Sequence, residues 1–132
     1  MSKLEEIREE FKKDRFATDA VGIVIDCAEP GKAVCSLALK PHHMNANNVP
    51  MGGAIFTLAD FTCAVAANGY AEKMTVSQNA SITFLAPARG ERLVAEASCL
   101  RSGRTTALLT VDIRDELDTY VAHATVNAYV LG

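Results

Sequence analysis

Between Met51 and Asn68 the sequence reads M-G-G-A-I-F-T-L-A-D-F-T-C-A-V-A-A-N, with no polar face at helical spacing and a single charge, Asp60. Wound as a helix it is apolar all round, and such a helix belongs inside a protein or a membrane, not on a surface. A lone carboxylate in that setting is costly unless it is paired, protonated or used. Gly52 and Gly53 sit at the start, where the absence of side chains lets a partner approach the first turn's backbone N–H groups. Asp60, the Gly, Ala, Thr and Asn content and the lack of flanking basic residues argue against a membrane span. The expectation is a central core helix.

A helix of this kind needs a cover, and the rest of the chain has to supply it. With 132 residues there is enough chain for one domain, 1–132, and not enough for two. A net charge of −3, and no basic stripe interleaved with aromatics, argue against nucleic acid as a partner. The N-terminal S-K-L-E-E-I-R-E-E-F-K-K-D is charged throughout and has no apolar signal region, so a soluble, cytoplasmic protein is expected. Cys27, Cys35, Cys63 and Cys99 stand singly in apolar runs with no C-x-x-C, which reads as small buried hydrophobes in a reducing compartment.

Ser2 and Glu5 fit a capping box, and Leu4, Ile7 and Phe11 recur at helical spacing, so residues 3–14 form a short surface helix. Val21, Ile23, Ile25 and Cys27 alternate as a strand, Glu29-Pro30-Gly31-Lys32 turns, and Ala33, Cys35, Leu37 and Leu39 resume. This makes 20–39 a hairpin. Pro41 to Pro50 is a polar loop feeding the long helix, and Gly69 is placed as its left-handed cap. Strand-like segments follow at 75–86, 91–101, 104–114 and 119–131, with a charged turn from Arg114 to Asp118. Tight turns between successive strands imply an antiparallel α+β sheet. About six strands can cover the long helix only by curling around it.

The segments N-A-N-N-V-P-M-G-G-A-I-F-T-L-A-D (45–60), V-S-Q-N-A-S-I-T-F-L-A-P-A (76–88) and G-E-R-L-V-A-E-A (90–97), with S-G-R-T-T-A (102–107) and V-A-H-A-T-V (121–126), resemble the hotdog-fold acyl-CoA thioesterases of the phenylacetic-acid-pathway type. The resemblance implies a hotdog fold, with an antiparallel sheet wrapped around a long central helix. It also implies a homodimer by edge pairing of two sheets, often a homotetramer, and active sites shared between subunits. It gives the Gly52 N–H the task of polarising the thioester carbonyl, with Gly53 allowing close approach. Asp60 becomes nucleophile or general base, and Asn45 and Ser77 position water or the carboxylate. Met51 occupies the place of the family's usual His beside the substrate. Arg104 is the best single candidate, among Arg89, Arg92, Arg101 and Arg104, for the coenzyme A phosphates.

The chemistry makes sense without the resemblance. Thioester hydrolysis needs donors where charge develops on oxygen, and helix N-terminal N–H groups supply them. It also needs a base, and desolvation raises the basicity of a carboxylate. Asp60 lies seven residues after Gly53, ~10 Å along a helix, too far for one helix to serve both sides of a single carbonyl. A site using both ends therefore needs a second subunit. The expected reaction is hydrolysis of an acyl-CoA to a carboxylate and free CoA. It calls on no metal or redox cofactor, with coenzyme A present only as part of the substrate. The competing reading is a non-catalytic acyl-CoA-binding hotdog protein, which Met51 keeps open. A hydratase or dehydratase would want a catalytic His that the helix lacks. His42, His43 and His123 do not share ligand spacing with a carboxylate or thiol, which leaves a metal site disfavoured.

Overall fold

The computed structural model describes residues 1–132. Helix α1 (Lys3–Phe11) starts at Ser2, whose hydroxyl accepts the Glu5 N–H at 3.1 Å. Glu5 reaches back to the Ser2 hydroxyl at 3.2 Å, and not to a backbone N–H as a full capping box would have it. The helix stops at Phe11, short of the expected residue 14. A π-helical turn over Phe16–Val21 then takes residues assigned to the first strand. Gly22 ends it at φ 94°, a conformation glycine adopts without steric cost, and the Gly22 and Ile23 N–H groups both bond back to the Ala17 carbonyl.

Strands β1 (Val24–Glu29) and β2 (Lys32–Ala38) form the expected hairpin, with Gly31 at φ 75° after Pro30. After a 3-10 turn at Pro41–His43, α2 runs over Gly52–Asn68. Strands β3 (Thr75–Phe84), β4 (Arg92–Ser102), β5 (Thr106–Asp115) and β6 (Tyr120–Val130) complete one antiparallel sheet in the order β1-β2-β4-β5-β6-β3. The chain thus leaves β2 on one side, crosses the sheet as α2, lays β3 on the far edge and comes back to pair β4 with β2. All six strands touch α2, which is the wrapping that an apolar helix demands.

The core lies between α2 and the inner sheet face. Leu58 and Val65 from the helix, with Leu37, Leu93, Leu109 and Val111 from the strands, are buried. Full burial of each such side chain contributes about 1.5–3 kcal/mol. The helix is not covered all round, however. Gly53, Thr57, Asp60, Ala64 and Ala67, spaced three or four apart, form a stripe that the sheet leaves partly open. This corrects the expected burial of Asp60, which is half-buried. Gly69 also differs from its expected role. It is right-handed at φ −57°, and a Cβ there would meet the Val65 carbonyl at 2.8 Å, so it is needed for close approach.

Two cysteines depart from the buried reading. Cys35 and Cys63 are buried, whereas Cys27 is exposed on the edge strand β1 and Cys99 is intermediate at a bulge in β4. Burial pushes the Cys35 thiol up to about 12, partly offset by the Thr62 hydroxyl. Burial pushes the Cys63 thiol up to about 12 as well, with the Asp60 charge adding to it. The turn after β5 is charged as expected, but Asp115 within it is buried. Its Oδ2 accepts the Arg89 and Gly90 N–H groups, and its Oδ1 those of Leu117 and Thr119. No helix is long and apolar enough to cross a membrane.

Candidate active site

Helix α2 and strand β3 lie side by side and run in opposite directions, and three contacts fix their register. At one end the Phe84 ring packs over Gly52, where an added Cβ would come within 3.1 Å of it. In the middle the Ser77 hydroxyl donates to Asp60 Oδ1 at 3.2 Å. At the other end the Asn68 side chain donates to the Thr75 carbonyl at 3.0 Å and accepts the Thr75 N–H at 2.7 Å. A bulge between Ser77 and Asn79 changes the parity of β3, placing Ser77 opposite the buried Ala128 on the inner face.

The N-terminus of α2 is open. Met51 stands at the cap with extended backbone (φ −65°, ψ 140°), and its side chain caps nothing. Its carbonyl accepts the Ala54 and Ile55 N–H groups, leaving those of Gly52 and Gly53 without an acceptor in the chain. The two glycines differ. Gly52 is covered by Phe84, whereas a Cβ at Gly53 would meet nothing within 4 Å. Unpaired N–H groups at a helix start, with the macrodipole behind them, favour developing negative charge.

The expected site residues therefore fall into two groups within one chain. Asp60 and Ser77 are together, in the lining of a cavity of about 720 Å3. Asn45, Gly52 and Phe84 line a second cavity of about 340 Å3 at the helix N-terminus. There the Asn45 carbonyl oxygen is engaged in its own loop, accepting the Asn47 N–H at 2.9 Å and the Val49 N–H at 3.3 Å. Met51 is exposed beside them. Arg104 stands on the β4–β5 turn, exposed and without an ionic partner. Of the other arginines, Arg89 is bonded to Thr119 and Arg92 to Ser36 and Asp26, so both are structural.

The histidines take no part in either group. His43 is buried, with one ring nitrogen accepting the Lys40 N–H and the other 2.7 Å from the Val21 carbonyl, which ties the loop to the π-helical turn. His123 lies on the outer sheet face, where Asp112 binds both it and the Tyr120 hydroxyl. No three His, Cys, Asp or Glu side chains converge as metal ligands.

Residues 47–122, which span α2 and β3 to β5, match the model of the thioesterase superfamily. The chain belongs to the thioesterase superfamily. This thioesterase is 32% identical to a putative esterase of Archaeoglobus fulgidus over 90% of the chain and 77% of that protein. It is 31% identical to human acyl-coenzyme A thioesterase 13, covering 86% of the chain and 83% of the relative. The PaaI protein of the Escherichia coli phenylacetic acid degradation operon superposes with a TM-score of 0.89, at 24% identity, over 98% of the thioesterase and 94% of PaaI. The shared architecture is the hotdog fold, and the thioesterase is a thioester hydrolase.

Sequence reasoning missed Phe11 at the end of α1 and Lys13 and Asp14 just after it, which border the cavity beside Asp60. No local pattern marks them, because their proximity to Asp60 depends on how α1 docks against α2.

Proposed function

We propose that this thioesterase hydrolyses acyl-CoA esters, with Asp60 as the general base and the Gly52–Gly53 helix end of a second copy as the oxyanion site. The observation that carries the reading is the half-buried Asp60, aligned by Ser77 and with its Oδ2 unbonded, lining a cavity of about 720 Å3. Asp60 takes a proton from water, and the water oxygen bonds to the thioester carbonyl carbon. The N–H groups at the helix start stabilise the charge that forms on the carbonyl oxygen. The C–S bond then breaks, giving a carboxylate and free CoA after proton return to sulfur.

Three features support the second copy. Asp60 is ~10 Å along α2 from Gly53. Strand β3 is an edge strand of ten residues, nearly all exposed, and no strand pairs with its outer side. It also runs antiparallel to α2, so antiparallel pairing of two β3 strands about a two-fold axis carries the Phe84–Gly52 end of one copy toward the Ser77–Asp60 group of the other. Named relatives act on coenzyme A esters, and Arg104 is the exposed cation we assign to the CoA phosphates.

The test is release of free thiol from a panel of acyl-CoA esters by the wild type, Asp60→Ala and Asp60→Asn. The expected result is a fall of at least 10²-fold in kcat for both variants. Equal rates for all three would refute the role of Asp60. No release from any ester would turn the reading to binding without hydrolysis.

A further inference from the structure

The cavity of about 720 Å3 begins at Asp60 and Ser77 and extends along the C-terminal half of α2, and its character changes on the way. Near the carboxylate the walls are aliphatic: Cys63, Ala64 and Ala67 from the helix, and Leu109, Val126 and Ala128 from the inner sheet face. The far rim is charged, formed by Glu72 and Lys73 before β3, while Glu10, Lys13 and Asp14 line the side toward α1, whose Phe11 packs against Phe61. The Asn68 amide, which also borders the cavity, is already bonded on both sides to the Thr75 backbone. Along α2 and the inner sheet face, therefore, nothing between Asp60 and Glu72 asks for a polar ligand.

Ala64 and Ala67 lie on the stripe of α2 that the sheet leaves open, and the space beside them exists because both side chains are single methyl groups. Ala67 is seven residues beyond Asp60, ~10 Å along the axis, which matches the extended length of an acyl chain of roughly eight carbons.

We propose that this cavity is the acyl chamber, that it takes an unbranched aliphatic acyl group of medium length, and that Ala64 and Ala67 set the length it accepts. The proposal rests on the assignment of Asp60 to the hydrolytic site, because the carbonyl must sit at that end for the tail to enter. Each methylene buried between the aliphatic walls raises kcat/KM by up to about fourfold. The gain stops where the chain reaches Glu72 and Lys73, because methylenes there displace water from charged groups without a partner.

The experiment measures kcat/KM by thiol release on acetyl-, butyryl-, hexanoyl-, octanoyl-, dodecanoyl- and phenylacetyl-CoA. The wild type is compared with Ala64→Leu and Ala67→Leu, and the fold of each variant is checked by circular dichroism. For the wild type the rate constant climbs to about eight carbons and then levels. Ala67→Leu lowers the octanoyl-to-butyryl ratio at least ~10-fold. Ala64→Leu, about one turn nearer the carboxylate, moves the limit to a shorter chain than Ala67→Leu does. Loss of fold would lower all esters together and could not produce that order. A flat profile in the wild type, a preference for the phenylacetyl ester, or unchanged ratios in both variants would overturn the chamber. If the wild type hydrolyses no ester, the catalytic reading fails by itself. The chamber is then decided by the Kd of the octanoyl and butyryl thioether analogues, which must show the same ratio and the same order of variants.

Discussion

Gly53→Ala separates a glycine kept for folding from one kept for substrate. Gly53 is a right-handed residue in the first turn of α2, and an added Cβ would meet nothing within 4 Å. Alanine there is free of steric cost and removes the conformational freedom that glycine brings to the unfolded chain. The expected gain is about 0.4–1 kcal/mol. An unfolding entropy of about 2.1 cal/mol/K per residue converts this to a rise in Tm of roughly 1–4 °C for a chain of this size. Activity should move the other way. The methyl group would stand beside the unpaired Gly52 and Gly53 N–H groups, where the carbonyl oxygen is proposed to sit, and losing one such donor costs about 10²-fold or more in kcat. The assays are thermal unfolding by circular dichroism and thiol release on the best ester of the panel. A more stable variant with undiminished kcat/KM would refute the reasoning, because Gly53 would then face empty space and not the substrate. Gly52→Ala is the companion: its methyl would press the Phe84 ring, so it should lose stability as well as activity.

Two further predictions concern the frame of the site. Burial alone would raise the pKa of Asp115, but the backbone N–H groups of Thr119, Arg89 and Gly90 outweigh it and hold the carboxyl well below the usual carboxylate range. A lowered folded-state pKa makes this contribution complete above the unfolded value of about 3.9 and loses it as pH falls below that. Asp115→Asn should therefore lower Tm at pH 7 and flatten its decline between about pH 4 and pH 2, measured by thermal unfolding across pH. Asn68→Ala removes both bonds to the Thr75 backbone and should cost about 1–3 kcal/mol. Amide exchange should quicken at Thr75 to Ser77 more than in β5.

The long helix was legible to its ends, because a 17-residue apolar run offers few alternatives. The strand order along the chain was legible from turns such as Pro30-Gly31. What alternation could not reveal was where the chain leaves one periodicity for another. Val21 and Ile23 fit a strand, yet two N–H groups converge on the Ala17 carbonyl and Val21 ends a π-helical turn. Burial was misjudged where it depends on neighbours that are distant in sequence. Asp115 reads as a solvated turn charge until Arg89 and Gly90 are brought to it. Asp60 reads as buried until β3 proves to be an edge strand. The pairing of Asp60 with Ser77 was anticipated only through the resemblance, since 17 residues separate them. The distance from Gly53 to Asp60 needed only the rise of a helix, and it led to the same two-copy site that the exposed β3 edge supports.

That two-copy site is tested most directly by mixing defects. Asp60→Ala and Gly53→Val, carried on differently tagged copies and co-expressed, can be purified as a mixed dimer through both tags. One of its two sites then contains both lesions and the other contains neither. The account predicts that each variant alone is nearly inactive and that the mixed dimer recovers about half of the wild-type kcat per dimer. A mixed dimer no more active than the two variants alone would contradict it, since each site would then be built within a single copy.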